Sequence, residues 1–223
     1  MENGSESVKG LEGSISGKKT SKRKDVLAVN TVMEECAYLQ SRGIIAKPGD
    51  DVVITKWIAL EGTSIIAKEK ENELLKRFPD KYIYDAINFN KILCTDPEAA
   101  GALKSGVTAI HKASRGGIFK ALWEIGEANG VGLTIELKKI PVKQETIEIC
   151  NYFDINPYEL LSGGALVMTS ADGNRLVMDL KALGINAVVV GKVTNTNDRV
   201  LINGEHTRFL EPRKEDEIKK IIK

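Results

Sequence analysis

No stretch of this chain is apolar for anything near the ~20 residues that cross a bilayer, and no apolar signal core opens it. A cytoplasmic protein is therefore expected. Cysteine is scarce: Cys36, Cys94 and Cys150 stand far apart, with no C-x-x-C pair and no Cys/His cluster. That spacing argues against a zinc site and fits free thiols in a reducing compartment. Charge of one sign is lacking too. The 32 Lys and Arg are balanced by 31 Asp and Glu, a net charge of +1, so no global field drives binding to nucleic acid or acidic lipid. The G-x-x-x-x-G-K-[S/T] loop, the G-x-S-x-G elbow and the kinase signature set are all missing. No cluster of aspartates on a buried strand is arranged to hold Mg²⁺ against a triphosphate, and no metal site is expected. Phosphoryl transfer is hard to sustain without one.

What is present is an ordinary globular composition, 42% hydrophobic and 28% charged over 223 residues, enough for one large domain or a domain plus an arm. Residues 1–25, rich in Gly, Ser, Lys and Glu, read as a disordered arm ending in a basic cluster, Lys18 to Lys24. Over 26–43, Val26, Val29, Val32, Met33, Cys36 and Leu39 recur at helical spacing, with Gly43 as the stop. The folded body is expected over 44–212, with a charged helix over 213–223. Within the body, strands are predicted at 51–56, 107–111, 131–138, 165–169 and 187–193. Helices are predicted from Gly62, through 70–92 with a break at Pro79, and at 96–104, 117–128, 143–152 and 173–183. Thr95 before Asp96-Pro97-Glu98 has the form of a helix cap. Asn203-Gly204 suggests a hairpin with a type I′ turn. Strands and helices interleave, but the amphipathic strand and the terminal hairpin break a pure βαβ pattern. An α+β (α/β) fold with a mixed sheet flanked by helices is the expected architecture.

Three segments could carry chemistry. The first is the strand–turn–helix junction from Gly106 to Phe119. The backbone N–H groups that open a helix are unpaired and lie at the positive end of its dipole. Gly116 and Gly117 allow an anion to approach the backbone, while Lys112, Ser114 and Arg115 add charge and hydrogen bonds. A phosphate-containing small molecule or nucleotide is the expected ligand, although paired glycines also serve tight packing with no ligand. His111 reads as a base or ligand, or as a histidine satisfied structurally. The second segment, Glu61-Gly62-Thr63, offers an acid for a ribose hydroxyl or amine, or an exposed loop acid with Thr63 as a cap. The third, Ser162-Gly163, faces the same cleft or forms a tight turn.

Taken in this order, these loops resemble the C-terminal domain of the aminoimidazole-ribonucleotide (AIR) synthetase superfamily, with the strongest likeness to its hydrogenase expression/formation (maturation) branch. The resemblance rests on Lys47 to Lys56, Gly106 to Gly117, Ala128 to Leu133, Lys139 to Val142 and Gly191 to Val193, and extends over roughly 44–212. It implies a partly ferredoxin-like α+β domain. It also implies ATP in a cleft shared with an N-terminal domain that supplies the acidic Mg²⁺ ligands. No segment before residue 44 resembles that domain, so ATP and Mg²⁺ are expected only with a complementing domain, and a fragment or a natural truncation is expected. Two positions depart from the branch. His111-Lys112 stands where the branch has His-Asp, and Ile221-Ile222-Lys223 stands where it ends in a carbamoyl-carrying cysteine. Three functions follow as expectations: the substrate- and phosphate-binding part of an ATP-dependent enzyme, inactive alone; a non-catalytic assembly module; or a small-ligand sensor, with a complementing metal-binding domain or a second copy of the chain as the protein partner.

Overall fold

The computed structural model describes residues 39–40, 42–211 and 215–222. The expected arm and most of the helix over 26–43 lie outside these residues. Seven strands form one sheet: β1 (Asp51–Thr55), β2 (Val107–Lys112), β3 (Gly132–Glu136), β4 (Leu166–Ser170), β5 (Ala187–Thr194), β6 (Arg199–Asn203) and β7 (His206–Phe209). Their order is β2-β4-β1-β5-β3-β6-β7. Only β3 and β6 run parallel; every other neighbouring pair is antiparallel. The sheet is mixed, as the interleaved pattern implies.

The helices among the described residues are α1 (Leu60–Glu69), α2 (Glu71–Leu74), α3 (Asp80–Ile87), α4 (Asp96–Lys104), α5 (Gly117–Asn129), α6 (Gln144–Tyr152) and α7 (Gly173–Ala182). They cover both faces of the sheet. The larger core holds Ile54, Ile66, Ile83, Ile118, Leu122 and Ile149, from β1, α1, α3, α5 and α6. The smaller holds Val53, Ala99, Ala102, Ile110, Leu176 and Leu180, with α4 and α7 as its roof. Leu39 is 4% exposed and packs into this second core. Covered on both faces, β1 is buried along its whole length, and its middle, Val52-Val53-Ile54, reads as an unbroken apolar run. In β3, Leu133 and Ile135 point inward and the alternate face is wet.

Four local expectations are corrected. Thr63 does not cap a helix: α1 starts earlier, after Ala59 in the left-handed region at φ 58°, and the Thr63 hydroxyl donates inside the core to Thr146 Oγ1 at 2.9 Å. Thr95 precedes α4, but its buried hydroxyl makes no capping bond. In the terminal hairpin, Asn203 pairs with His206 and the two-residue loop is Gly204-Glu205. Only Gly204 has positive φ, 64°, whereas a type I′ turn needs it at both central residues. The described C-terminal stretch forms one 3-10 turn, Glu217–Lys220, instead of a helix over 213–223. Its two leading acids turn inward and bind backbone of the main domain.

Candidate functional site

The three loops singled out in the sequence meet at one end of the sheet. After β2, Ala113 donates its N–H to Ala165 O at 3.0 Å, which ties the glycine loop to the start of β4. The Ser114 carbonyl accepts from Gly117 N–H at 3.1 Å and from Ser162 N–H at 3.2 Å. Ser162 Oγ accepts from Ala59 N–H at 2.9 Å and donates to Leu160 O at 2.8 Å. Gly62 N–H donates to Leu161 O at 2.9 Å. The segments 59–63, 113–117 and 158–164 are therefore knitted backbone to backbone.

Gly116 and Gly117 both have positive φ, 86° and 72°. A side chain at Gly117 would overlap the backbone of Tyr158 and Glu159. Gly163 is pressed against the Glu61 carboxylate in the same way. Gly117 thus serves close packing, one of the two roles open to it from sequence, whereas a side chain at Gly116 would first meet the Lys120 side chain. Ser114 and Arg115 are exposed at the rim and Lys112 is half-buried. His111 points to α5, where Nε2 lies 3.0 Å from Glu124 Oε2; Lys120 stands 3.7 Å from the same carboxylate. His111 is therefore on the flank of the junction, engaged by a side chain.

The group at the centre of the junction is one that sequence reasoning missed. Asp216, 7% exposed, reaches back from the C-terminal segment. Its Oδ2 accepts from Gly116 N–H at 2.7 Å, and its Oδ1 from Leu161 N–H at 3.1 Å and Ile218 N–H at 3.0 Å. A carboxylate thus sits where the helix opening of α5 offers donors and positive potential. Beside it, Glu217 Oε2 accepts from Asn156 N–H at 3.3 Å and from Lys220 Nζ at 2.6 Å. The available signal was Glu215-Asp216-Glu217 before Ile218, a run of acids that leads into apolar residues.

Two further features flank the junction. A cavity of about 410 Å³ lies between α5 and the β6–β7 hairpin, lined by Phe119, Glu159, Arg208 and Phe209 among others. Phe119 stacks on Tyr158 with ring centres 5.1 Å apart, and the Arg208 guanidinium lies 5.3 Å above Phe119. Burial pushes the Tyr158 hydroxyl above its ordinary value, and Arg208 opposes that shift. On the other flank, Lys56 is left-handed at φ 53°. Its ammonium lies 2.5 Å from Glu98 Oε1, which is in a side chain 1% exposed, and donates to the carbonyls of Ile92 at 2.8 Å and Cys94 at 2.5 Å. Left-handed non-glycine residues cost energy and gather at functional sites. Among the described residues, no group of three or more His, Cys, Asp or Glu is placed to hold a metal ion. No described helix is long and apolar enough to cross a membrane.

Residues 47–203 match the family model described as AIR synthase related protein, C-terminal domain. A carbamoyl dehydratase HypE of Rhizobium leguminosarum bv. viciae is 27% identical over 159 residues, covering 70% of this chain and 43% of that protein. A putative hydrogenase expression/formation protein of Methanocaldococcus jannaschii is 27% identical over 160 residues, 69% of this chain and 45% of that protein. Among solved structures, the HypE–HypF complex matches with a TM-score of 0.62 at 20% identity, covering 76% of this chain and 55% of that one. HypE in complex with ATP matches with a TM-score of 0.58 at 15% identity, covering 80% of this chain and 54% of that one. At these identities the structural matches show a shared fold. The chain spans about half the length of the relatives it matches.

Proposed function

The chain belongs to the family of AIR synthase related protein C-terminal domains, and from that premise we propose that it is the anion-holding half of an ATP-dependent enzyme of the hydrogenase-maturation kind. The observation that supports this reading is the Asp216 carboxylate held by Gly116 and Leu161 N–H, in which these backbone donors bind a negatively charged group of the chain itself. In this reading Gly116 and Gly117 bring the backbone close to a phosphate group, and Lys112, Ser114 and Arg115 surround it from the rim. Glu61, Gly62, Thr63, Ser162 and Gly163 hold the junction in shape, and His111 braces its flank through Glu124. The ATP seen with one relative fits such donors through its phosphates once they are free of Asp216. ATP supplies a transferable phosphoryl group when bound; the residues of this chain orient it and neutralise its charge.

Magnesium does not fit the described residues, since they form no carboxylate cluster. No step is therefore routed through a metal, and we assign the metal ligands to a complementing domain. Titration calorimetry with ATP, with and without Mg²⁺, and with inorganic phosphate tests the reading. Arg115→Ala is expected to weaken phosphate or nucleotide binding by about 1–3 kcal/mol through loss of a charge-assisted bond. An unchanged affinity would remove Arg115 from the site.

A second reading, a non-catalytic assembly module, is favoured by a different surface. α4 and α7 flank a groove of about 560 Å³ lined by Pro97, Ala100, Gly101 and Leu183. Leu183 is 60% and Met178 68% exposed. A relative crystallised with HypF gives this reading a precedent in protein contact. Absence of heat with every anion, together with a partner captured through Leu183, would favour it.

A further inference from the structure

We infer that Asp216 is a built-in competitor for the anion site, so that the C-terminal segment Glu215–Ile222 closes the junction until an external phosphate group displaces it. The inference rests on the anion-holding reading above and adds its regulation. Three backbone donors converge on this one carboxylate: Gly116, Leu161 and Ile218. Two of them belong to loops that are otherwise satisfied within the junction. With Asp216 in place no phosphate oxygen reaches Gly116 N–H, because Oδ2 occupies it at 2.7 Å. Ligand and carboxylate are therefore mutually exclusive.

The segment is held to the main domain chiefly through its two leading acids, Asp216 and Glu217. Its only regular element is the four-residue turn Glu217–Lys220. Ile218, Ile221 and Ile222 are only partly buried against the main core, in contrast to Ile118 and Leu122 behind them. Short segments with few fully buried side chains open locally at a cost well below global unfolding. The cavity lined by Glu159 and Arg208 borders the same loop. A closed segment lowers the apparent affinity of the site by the fraction of molecules that are open. Ligand and segment must then act reciprocally: the ligand releases the segment, and loosening the segment tightens the ligand.

The test uses the full chain with inorganic phosphate and ATP as probes, read by calorimetry and by amide hydrogen exchange. Phosphate at saturation is expected to speed exchange of residues 215–222 in the unmutated chain. Asp216→Asn keeps the size of the side chain but places an amide against one donor; it is expected to bind phosphate more tightly, by up to about tenfold for a segment closed in about nine molecules of ten. Ile218→Ala loosens the segment without touching a donor from the loops and is expected to shift affinity in the same direction. If the unmutated chain binds phosphate through Arg115, yet neither variant changes the affinity and 215–222 keep their protection, Asp216 is a fixed cap; the inference is overturned and the anion-holding reading stands. If none of these chains binds phosphate or ATP, both are overturned together.

Discussion

A methyl group added at Gly117 would collide with the carbonyl oxygen of Tyr158, part of a backbone segment pinned by its own bond to Phe119 N–H at 3.2 Å. The clash adds to the strain of a left-handed backbone at φ 72°. Gly117→Ala is expected to destabilise the fold by about 2–4 kcal/mol, from strain plus overpacking. Denaturant unfolding reads this as a lower midpoint at unchanged slope; a shift below about 0.5 kcal/mol, the range of a neutral surface change, would show that the junction gives way freely. Cys150 supplies a second test at this scale. Burial, with Glu217 adding to it, pushes its thiol from 9.0 up to about 12. Between those values the unfolded thiol has lost its proton and the folded one has kept it. Folding stability therefore falls as pH rises from 9 towards 12 and is unaffected by this group below 9. Cys150→Ala is expected to flatten that decline. Part of the slope remains, because burial first, and then Glu145 and Glu148, push the Tyr82 hydroxyl up to about 12. An identical slope in the variant would assign the alkaline loss elsewhere.

The elements show where local sequence speaks and where it stays silent. Strand β1 follows from its short apolar run, α4 from the Asp96-Pro97-Glu98 start, and α5 to α7 from apolar residues at helical spacing. The ends of elements followed less well. At the start of α1 the chain turns through Lys56 and Ala59, neither a residue type that favours a left-handed backbone. Tertiary bonds hold that turn, from Ala59 N–H to Ser162 Oγ and from Lys56 Nζ to Glu98, and no short window contains both partners. The same holds for the candidate site. The three loops were legible from their glycines, whereas the meeting of the Ser162-Gly163 loop with the other two was one of two readings its sequence left open. Asp216 was not legible, because it lies 100 residues from Gly116. Lys56 and Glu98 tie the strained turn before α1 to α4. Removing one member leaves the other charged and buried, so Lys56→Met is expected to cost about 3–5 kcal/mol. Lys56→Met combined with Glu98→Leu is expected to recover most of that loss, since no charge is then stranded. Equilibrium unfolding of the two single variants and the double variant decides it: costs that simply add would mean that the pair is not coupled.

At the scale of the whole molecule, one sheet separates two cores and joins them. Val53 points into the core roofed by α4 and α7, while its neighbour Ile54 points into the larger core on the other face. Both are 0% exposed. β1 has β4 and β5 hydrogen-bonded to its two edges, so neither core can be lost without disturbing the strand that backs the other. Trp57 and Trp123 both pack on the larger core, which makes their fluorescence a report on one face only. If the two faces unfold as a unit, a cavity cut into the far core must still lower the transition seen by these tryptophans. Val53→Ala is expected to shift the fluorescence midpoint and the far-ultraviolet circular dichroism midpoint together, by about 1–3 kcal/mol in stability. Ile54→Ala, on the near face, is expected to do the same and to cost more, about 2–5 kcal/mol. Fluorescence left in place by Val53→Ala, while circular dichroism moves, would mean that the α4–α7 face melts by itself. The groove between those helices would then belong to a separable unit, and partner binding there could change without altering the three-loop junction on the opposite core. Coincident midpoints instead bind the two surfaces into one folding unit, so that a partner on α4 and α7 stabilises the junction by mass action.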